Sequence, residues 1–182
     1  MSVSATAPST GSFVRTTVWK APLAAGFLVG LAAIATAWGY QIIGGYVPCK
    51  LCYQERIPYY VGLPLILLSL LLAGRAPGAA RLFAVLGGIA FLVGTGLGGY
   101  HAGAEWGFWP GPNDCGGGTG PTTDAGNLLA QLQSTRLVSC TEASWRMLGL
   151  SFAGWNAVLS AAVAAAAFLG AAGNRSARAI SR

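Results

Sequence analysis

Charge is what this chain has least of. Only 9% of its 182 residues are Asp, Glu, Lys or Arg, against about 25% in a typical soluble domain. That scarcity excludes an ordinary water-soluble globule. The net charge of +6 does not make it a nucleic-acid binder, because the basic residues are scattered between apolar blocks and form no dense patch. Histidine is scarcer still, with His101 alone. Zinc modules need two close cysteine pairs or partnering histidines, and covalent haem attachment needs C-x-x-C-H, where this chain has Tyr53. The 27 glycines follow no collagen period. No internal repeat is evident.

What is abundant is apolar. Hydrophobic residues make up 54% of the chain, and four runs stand out, at about 21–43, 54–73, 82–102 and 152–172. A membrane-spanning helix needs about 20 such residues. The second run is purely apolar only from Pro58 to Ala73, so it reaches spanning length if its helix starts at Tyr53 or Gln54. Lipid offers backbone groups no hydrogen bonds, so each run is expected to be helical. The predicted fold is all-α: a single four-transmembrane-helix bundle over residues 1–182, with outer loops at about 44–53 and 103–151. The stretch Ala35-Thr36-Ala37 resembles a signal-peptide cleavage site, but the apolar run continues past it to Ile43, which favours a retained span.

Seven of the eleven basic residues (Arg15, Lys20, Arg75, Arg81, Arg175, Arg178, Arg182) flank the runs on one side; Lys50, Arg56, Arg136 and Arg146 lie on the other. The positive-inside rule places both termini in the cytoplasm. All four cysteines then fall on the outer side, where disulfides persist. The second outer loop divides in two. Its early part, "WGFWPGPNDCGGGTGPTTD", predicts an irregular, mobile segment. Its later part places Leu128, Leu129 and Leu132 at helical spacing after Thr123 and Asp124, which predicts a short amphipathic helix on the membrane surface. Trp106, Phe108, Trp109, Trp145 and Trp155 sit at the outer ends of spans and read as an aromatic belt. Gly26 with Gly30, and Gly94 with Gly98, read as close helix contacts.

The segment "VPCKLCYQER" carries the chemistry. With metal and haem disfavoured, Cys49-x-x-Cys52 is best read as a redox pair, with a static structural disulfide as the plainer alternative. A helix starting at Tyr53 or Gln54 would put Cys52 at its positive end, where a thiolate is stabilised. Arg56 follows Cys52 by four residues and shares its helical face; its plainer reading is a snorkelling anchor at the headgroups. Glu55 is expected to be a solvated interfacial charge. Thiol–disulfide exchange proceeds through mixed disulfides, so two cysteine pairs on one membrane face suggest a relay between a soluble thiol partner and a lipid-soluble electron acceptor.

The motifs "PCKLCYQER", "YHAGAEWGFWPGPNDC" and "SCTEASWRMLGLSFAGW", together with the four-span plan, resemble the disulfide bond formation protein B (DsbB) family of bacterial inner-membrane thiol oxidases. The resemblance runs from the first span through the fourth, and the glycine-rich stretch after Cys115 departs from the best-known members. It implies that Cys115 and Cys140 form a disulfide attacked at Cys115 by a DsbA-like, thioredoxin-fold dithiol oxidase of the periplasm. Electrons would then pass to Cys49–Cys52 and on to the membrane quinone pool (ubiquinone or menaquinone). Cys52 would face the quinone, with Arg56 and His101 close by; His101 reads equally as a plain interfacial residue. The expected partners are that oxidase, quinone and the lipid bilayer, with no nucleic acid and no metal. A vitamin K epoxide reductase-like enzyme is disfavoured because its membrane-side C-x-x-C belongs to a late helix. A membrane protein whose disulfides merely brace its loops is the non-enzymatic alternative.

Overall fold

A computed structural model describes residues 19–112 and 136–179. Four long helices dominate it: α1 (Lys20–Ile42), α2 (Lys50–Leu72), α3 (Pro77–Glu105) and α4 (Phe152–Ala179). All four contain a stretch long and apolar enough to cross a membrane. At about 1.5 Å per residue, the shorter two already exceed the roughly 30 Å of a hydrocarbon core. The expected all-α bundle of four spans is therefore what the structure contains. Its helices pack in a ring, α1 on α2, α2 on α3, α3 on α4 and α4 on α1.

The boundary difference that bears on the site is at α2, which begins at Lys50 rather than near residue 54. Cys49 is its N-cap, in extended conformation, and its Sγ accepts a hydrogen bond from the Cys52 N–H at 3.1 Å. The sulfur takes the place that a serine or aspartate oxygen usually fills at this position. Cys52 consequently lies inside the first turn rather than ahead of it. Helix α3 opens earlier than expected because Pro77, whose missing N–H costs nothing in a first turn, starts it. Pro58 and Pro64 lie within α2 without ending it. The predicted surface helix after Thr123, the glycine-rich segment and Cys115 lie outside the described residues.

The core is built where small residues let helices close. Phe91, Leu23, Ile66 and Val163 are almost fully buried, and Phe91 packs edge-on against Tyr59. Both sequence-marked glycine pairs sit at crossings: Gly26 against Ala166 and Gly30 against Leu63, then Gly94 against Pro58 and Ser160, and Gly98 against the Ala153–Ala157 turn. A Cβ at Gly98 would fall 2.8 Å from the Ala157 nitrogen and 3.0 Å from the Ala153 oxygen. Backbone cannot yield there as a side chain would. Gly98→Ala should therefore cost about 1–3 kcal/mol, read as a lower thermal midpoint in detergent. Gly96→Ala, which meets nothing within 4 Å, should hold or raise it. Polar links also cross the bundle. The Tyr59 hydroxyl donates to Asn156 Oδ1 at 2.7 Å, tying α2 to α4, and Ser69 Oγ donates to the Ala80 carbonyl at 2.7 Å.

Two short pairings organise the loop end. Strand β1 (Tyr46–Val47) runs parallel to β2 (Arg136–Leu137), and Val138 N–H extends the ladder to the Val47 carbonyl at 3.2 Å. This clips the second loop onto the first, immediately ahead of Cys49. Strands β3 (Arg146–Met147) and β4 (Leu150–Ser151) form a hairpin whose two turn residues, Leu148 and Gly149, both have positive φ, the conformation that matches the strands' right-handed twist.

Candidate functional site

The site grows from the N-terminal turn of α2. Cys49 is almost fully buried and Cys52 partly so. The two sulfurs are bonded, with Cα atoms 5.0 Å apart, the spacing that one helical turn naturally provides for i and i+3. The N-cap position puts Cys49, rather than Cys52, against the unpaired N–H groups of the helix start. The anion stabilisation expected there therefore acts on Cys49 first.

His101, from the last turns of α3, closes on this pair. Its Nε2 lies 3.9 Å from Cys49 Sγ and its Nδ1 lies 2.7 Å from Glu55 Oε1. His101 and Glu55 are 3% and 8% exposed, so Glu55 is not the solvated charge expected from sequence. It is a buried partner that fixes the imidazole. With Nδ1–H donating to the carboxylate, a neutral ring points the lone pair of Nε2 at the sulfur. A buried carboxylate needs hydrogen bonds to replace water, and His101 supplies one. Glu55 is the residue sequence reasoning missed. The signal was present: an ionisable side chain inside a spanning segment is itself a mark of function.

Arg56 is also buried, at 7% exposed, which rules out the snorkelling anchor. Its Nη1 donates to Gln41 Oε1 at 2.5 Å and its Nη2 to the Ala37 carbonyl at 3.4 Å. The guanidinium carbon lies 5.2 Å from the Trp38 ring centre and 5.5 Å from that of Tyr53. Helix α1 thus grips the guanidinium from one side while α2 supplies it from the other. Gln41 and Trp38 carry no recognisable motif, and their part emerges only from helix packing.

Cys52, Glu55, Arg56 and His101 all line one cavity of about 700 Å³, whose remaining wall is mainly apolar and comes from α1, α4 and the β3–β4 hairpin. That volume suits an organic ligand of moderate size, for which sites of about 300–1,000 Å³ are usual. Cys140 belongs to the same region. It is fully buried and shares a cluster with Cys49 and Leu51, against which Cys52 packs. Of the six residues singled out by sequence, the structure brings together Cys49, Cys52, Arg56, His101 and Cys140; Cys115 lies outside the described residues.

Comparison with known proteins agrees with this geometry. The family profile described as "Disulfide bond formation protein DsbB" matches residues 20–170. A disulfide bond formation protein B from Xanthomonas oryzae pv. oryzae is 30% identical over 146 residues, covering 77% of this chain and 83% of its own. Its namesakes from Methylococcus capsulatus and Marinobacter nauticus are 32% identical over 139 residues and 31% over 140. They cover 71% and 72% of this chain, and 80% and 79% of their own. No solved structure matches the chain at a significant level. A profile spanning most of the chain, relatives matched over most of their length, and a joined cysteine pair at the end of a four-span bundle lead to one conclusion: this chain belongs to the DsbB family of disulfide bond formation proteins and is a multi-pass, disulfide-generating membrane oxidoreductase.

Proposed function

We propose that the chain re-oxidises a reduced, DsbA-like thioredoxin-fold oxidase on the periplasmic side of a bacterial inner membrane, and delivers the two electrons to membrane quinone. The observation that carries this reading is the meeting of Cys49, Cys52 and Cys140 in one buried cluster, with Cys52 also lining an apolar cavity. In the proposed sequence, a partner thiolate opens a Cys115–Cys140 disulfide at Cys115, and the partner's second thiol resolves the mixed disulfide. The partner leaves oxidised and Cys115 and Cys140 remain as thiols. Cys140, packed against the first pair, attacks Cys49 and releases the Cys52 thiolate. Cys115 then displaces Cys49 from Cys140, which re-forms the Cys115–Cys140 disulfide and leaves Cys49 and Cys52 reduced at the cavity.

The cavity residues fit a quinone head. Cys52 and His101 would flank it, and Arg56, held by Gln41 and the Ala37 carbonyl, would offer a fixed cation to a carbonyl oxygen. A bound quinone supplies a two-electron, two-proton acceptor. His101 Nε2, 3.9 Å from Cys49 Sγ, is positioned to take that thiol's proton, while Glu55 holds the ring in the required tautomer. The test is stoichiometric. Purified protein mixed with the reduced partner and either ubiquinone or menaquinone should consume one quinone per partner disulfide formed, followed by quinone absorbance and thiol trapping. Partner oxidation without quinone loss would overturn the proposal.

A further inference from the structure

Sequence offers no second cysteine pair or neighbouring histidine to make a metal site, but the fold does. The ligand atoms of Cys49, Cys52 and His101 lie within 4.8 Å of one another. Zinc holds sulfur at about 2.3 Å and imidazole nitrogen at about 2.0–2.1 Å in a tetrahedron, which places neighbouring ligand atoms about 3.6–3.8 Å apart. The distance from Cys49 Sγ to His101 Nε2 is already 3.9 Å. Opening the S–S bond frees the two sulfurs to separate to that same spacing by small side-chain rotations. The imidazole is prepared for such a role, because its far nitrogen is bound at 2.7 Å by Glu55, the carboxylate–histidine arrangement that orients ligating histidines.

Two further observations point the same way. Glu105 follows His101 by one helical turn and lines the same cavity, and its Oε2 is buried with no hydrogen-bond partner among the described residues. It is not among the ligand atoms that lie within 4.8 Å of one another, so it would act on a water in the fourth coordination position and not as a ligand itself. Charge also balances: two thiolates and a divalent cation sum to zero, so the loaded centre costs less to keep in a buried, low-dielectric setting than two bare thiolates.

We propose that the reduced Cys49–Cys52 pair, with His101, forms a Cys2His site for a thiophilic divalent cation of the zinc class. Binding converts two thiols to coordinated thiolates and releases two protons. No electrons move, and the bonded disulfide has no such site. Because metal-bound sulfurs cannot rejoin, the cation holds the pair reduced; that consequence, unlike the binding itself, rests on the proposed thiol:quinone function.

The binding test uses neither quinone nor partner, so its failure is separable from failure of that function. The full-length Cys115→Ser/Cys140→Ser variant, reduced with a phosphine that is then removed anaerobically, is titrated with Cd²⁺ as a spectroscopic stand-in for Zn²⁺. The reduced protein should show a thiolate-to-metal charge-transfer band saturating at one equivalent, with two protons released; the oxidised protein should show none. His101→Ala should weaken binding at least 10-fold, and the conservative Glu55→Gln by about 10–100-fold. X-ray absorption of the Zn²⁺ form should fit two sulfurs at about 2.3 Å and a nitrogen near 2.0–2.1 Å. Equal binding to the oxidised protein, or unchanged affinity in both His101→Ala and Glu55→Gln, would mean an adventitious cation only and would sink the proposal.

Discussion

Replacing Cys52 by serine should lower dithiol-driven quinone reduction by at least about three orders of magnitude, the scale seen when a reacting group that works as part of a unit is removed. Serine preserves volume and a polar atom, so folding should survive. Oxygen cannot form the disulfide that accepts the electron pair, and no other cysteine lines the cavity among the described residues. The variant should nevertheless keep its first half-reaction. Cys49 remains buried against Cys140 in the same cluster. Before the partner is added, its thiol can attack a Cys115–Cys140 disulfide at Cys140, joining Cys49 to Cys140 and releasing Cys115 as a thiol. Non-reducing peptide mapping would reveal that cross-link. Turnover near that of the parent would place the acceptor somewhere other than the cavity beside Cys52. Full retention of quinone reduction without any Cys49–Cys140 link would remove both the relay and its direction.

Arg56→Ala should separate the two halves of the reaction in the same sense, through quinone affinity rather than through the loss of a reacting sulfur. Its guanidinium is held by Gln41 Oε1 at 2.5 Å and flanked by Trp38 and Tyr53, so it presents its remaining donors to the cavity at little entropic cost. Losing a charge-assisted hydrogen bond of this kind costs about 1.5–3 kcal/mol, or roughly a 10–100-fold rise in KM for quinone. Exchange between the partner and Cys115–Cys140 should be unaffected, measured by partner oxidation in a single turnover without quinone. Arg56→Lys should not restore quinone affinity, because a compact ammonium cannot reproduce a planar fork held at two points. An unaltered KM in Arg56→Ala would reduce Arg56 to a packing residue under Trp38. The burial of its neighbour Glu55 would then need another explanation than a shared site.

These expectations rest on features that were unequally visible before the fold was known. The four spans were legible because lipid leaves a long apolar run one choice, a helix. The glycine pairs were legible for a related reason: without a hydrophobic force between helices, close contact needs small residues. The start of α2 was misplaced by about four residues. Pro48-Cys49-Lys50-Leu51 reads locally as loop, and a cysteine sulfur is not among the usual capping atoms. The error changed which cysteine sits at the helix N-terminus, and so which sulfur feels its dipole.

By itself, the sequence determined the membrane class, the number of spans, and the identity of Cys49, Cys52 and Arg56 as the residues to watch, whereas His101 was marked only by the family resemblance. Those conclusions depend on local composition and on spacings within a single turn. Only the tertiary structure decided that Glu55 grips His101 across 46 residues, that Gln41 and Trp38 hold Arg56, and that Cys140 comes to rest beside Cys49. Each of these contacts joins side chains on different helices or loops, and no local pattern encodes which faces of four apolar helices will meet. Packing alone selects them, by fitting glycines and alanines against neighbouring backbones until the few polar groups inside find one another.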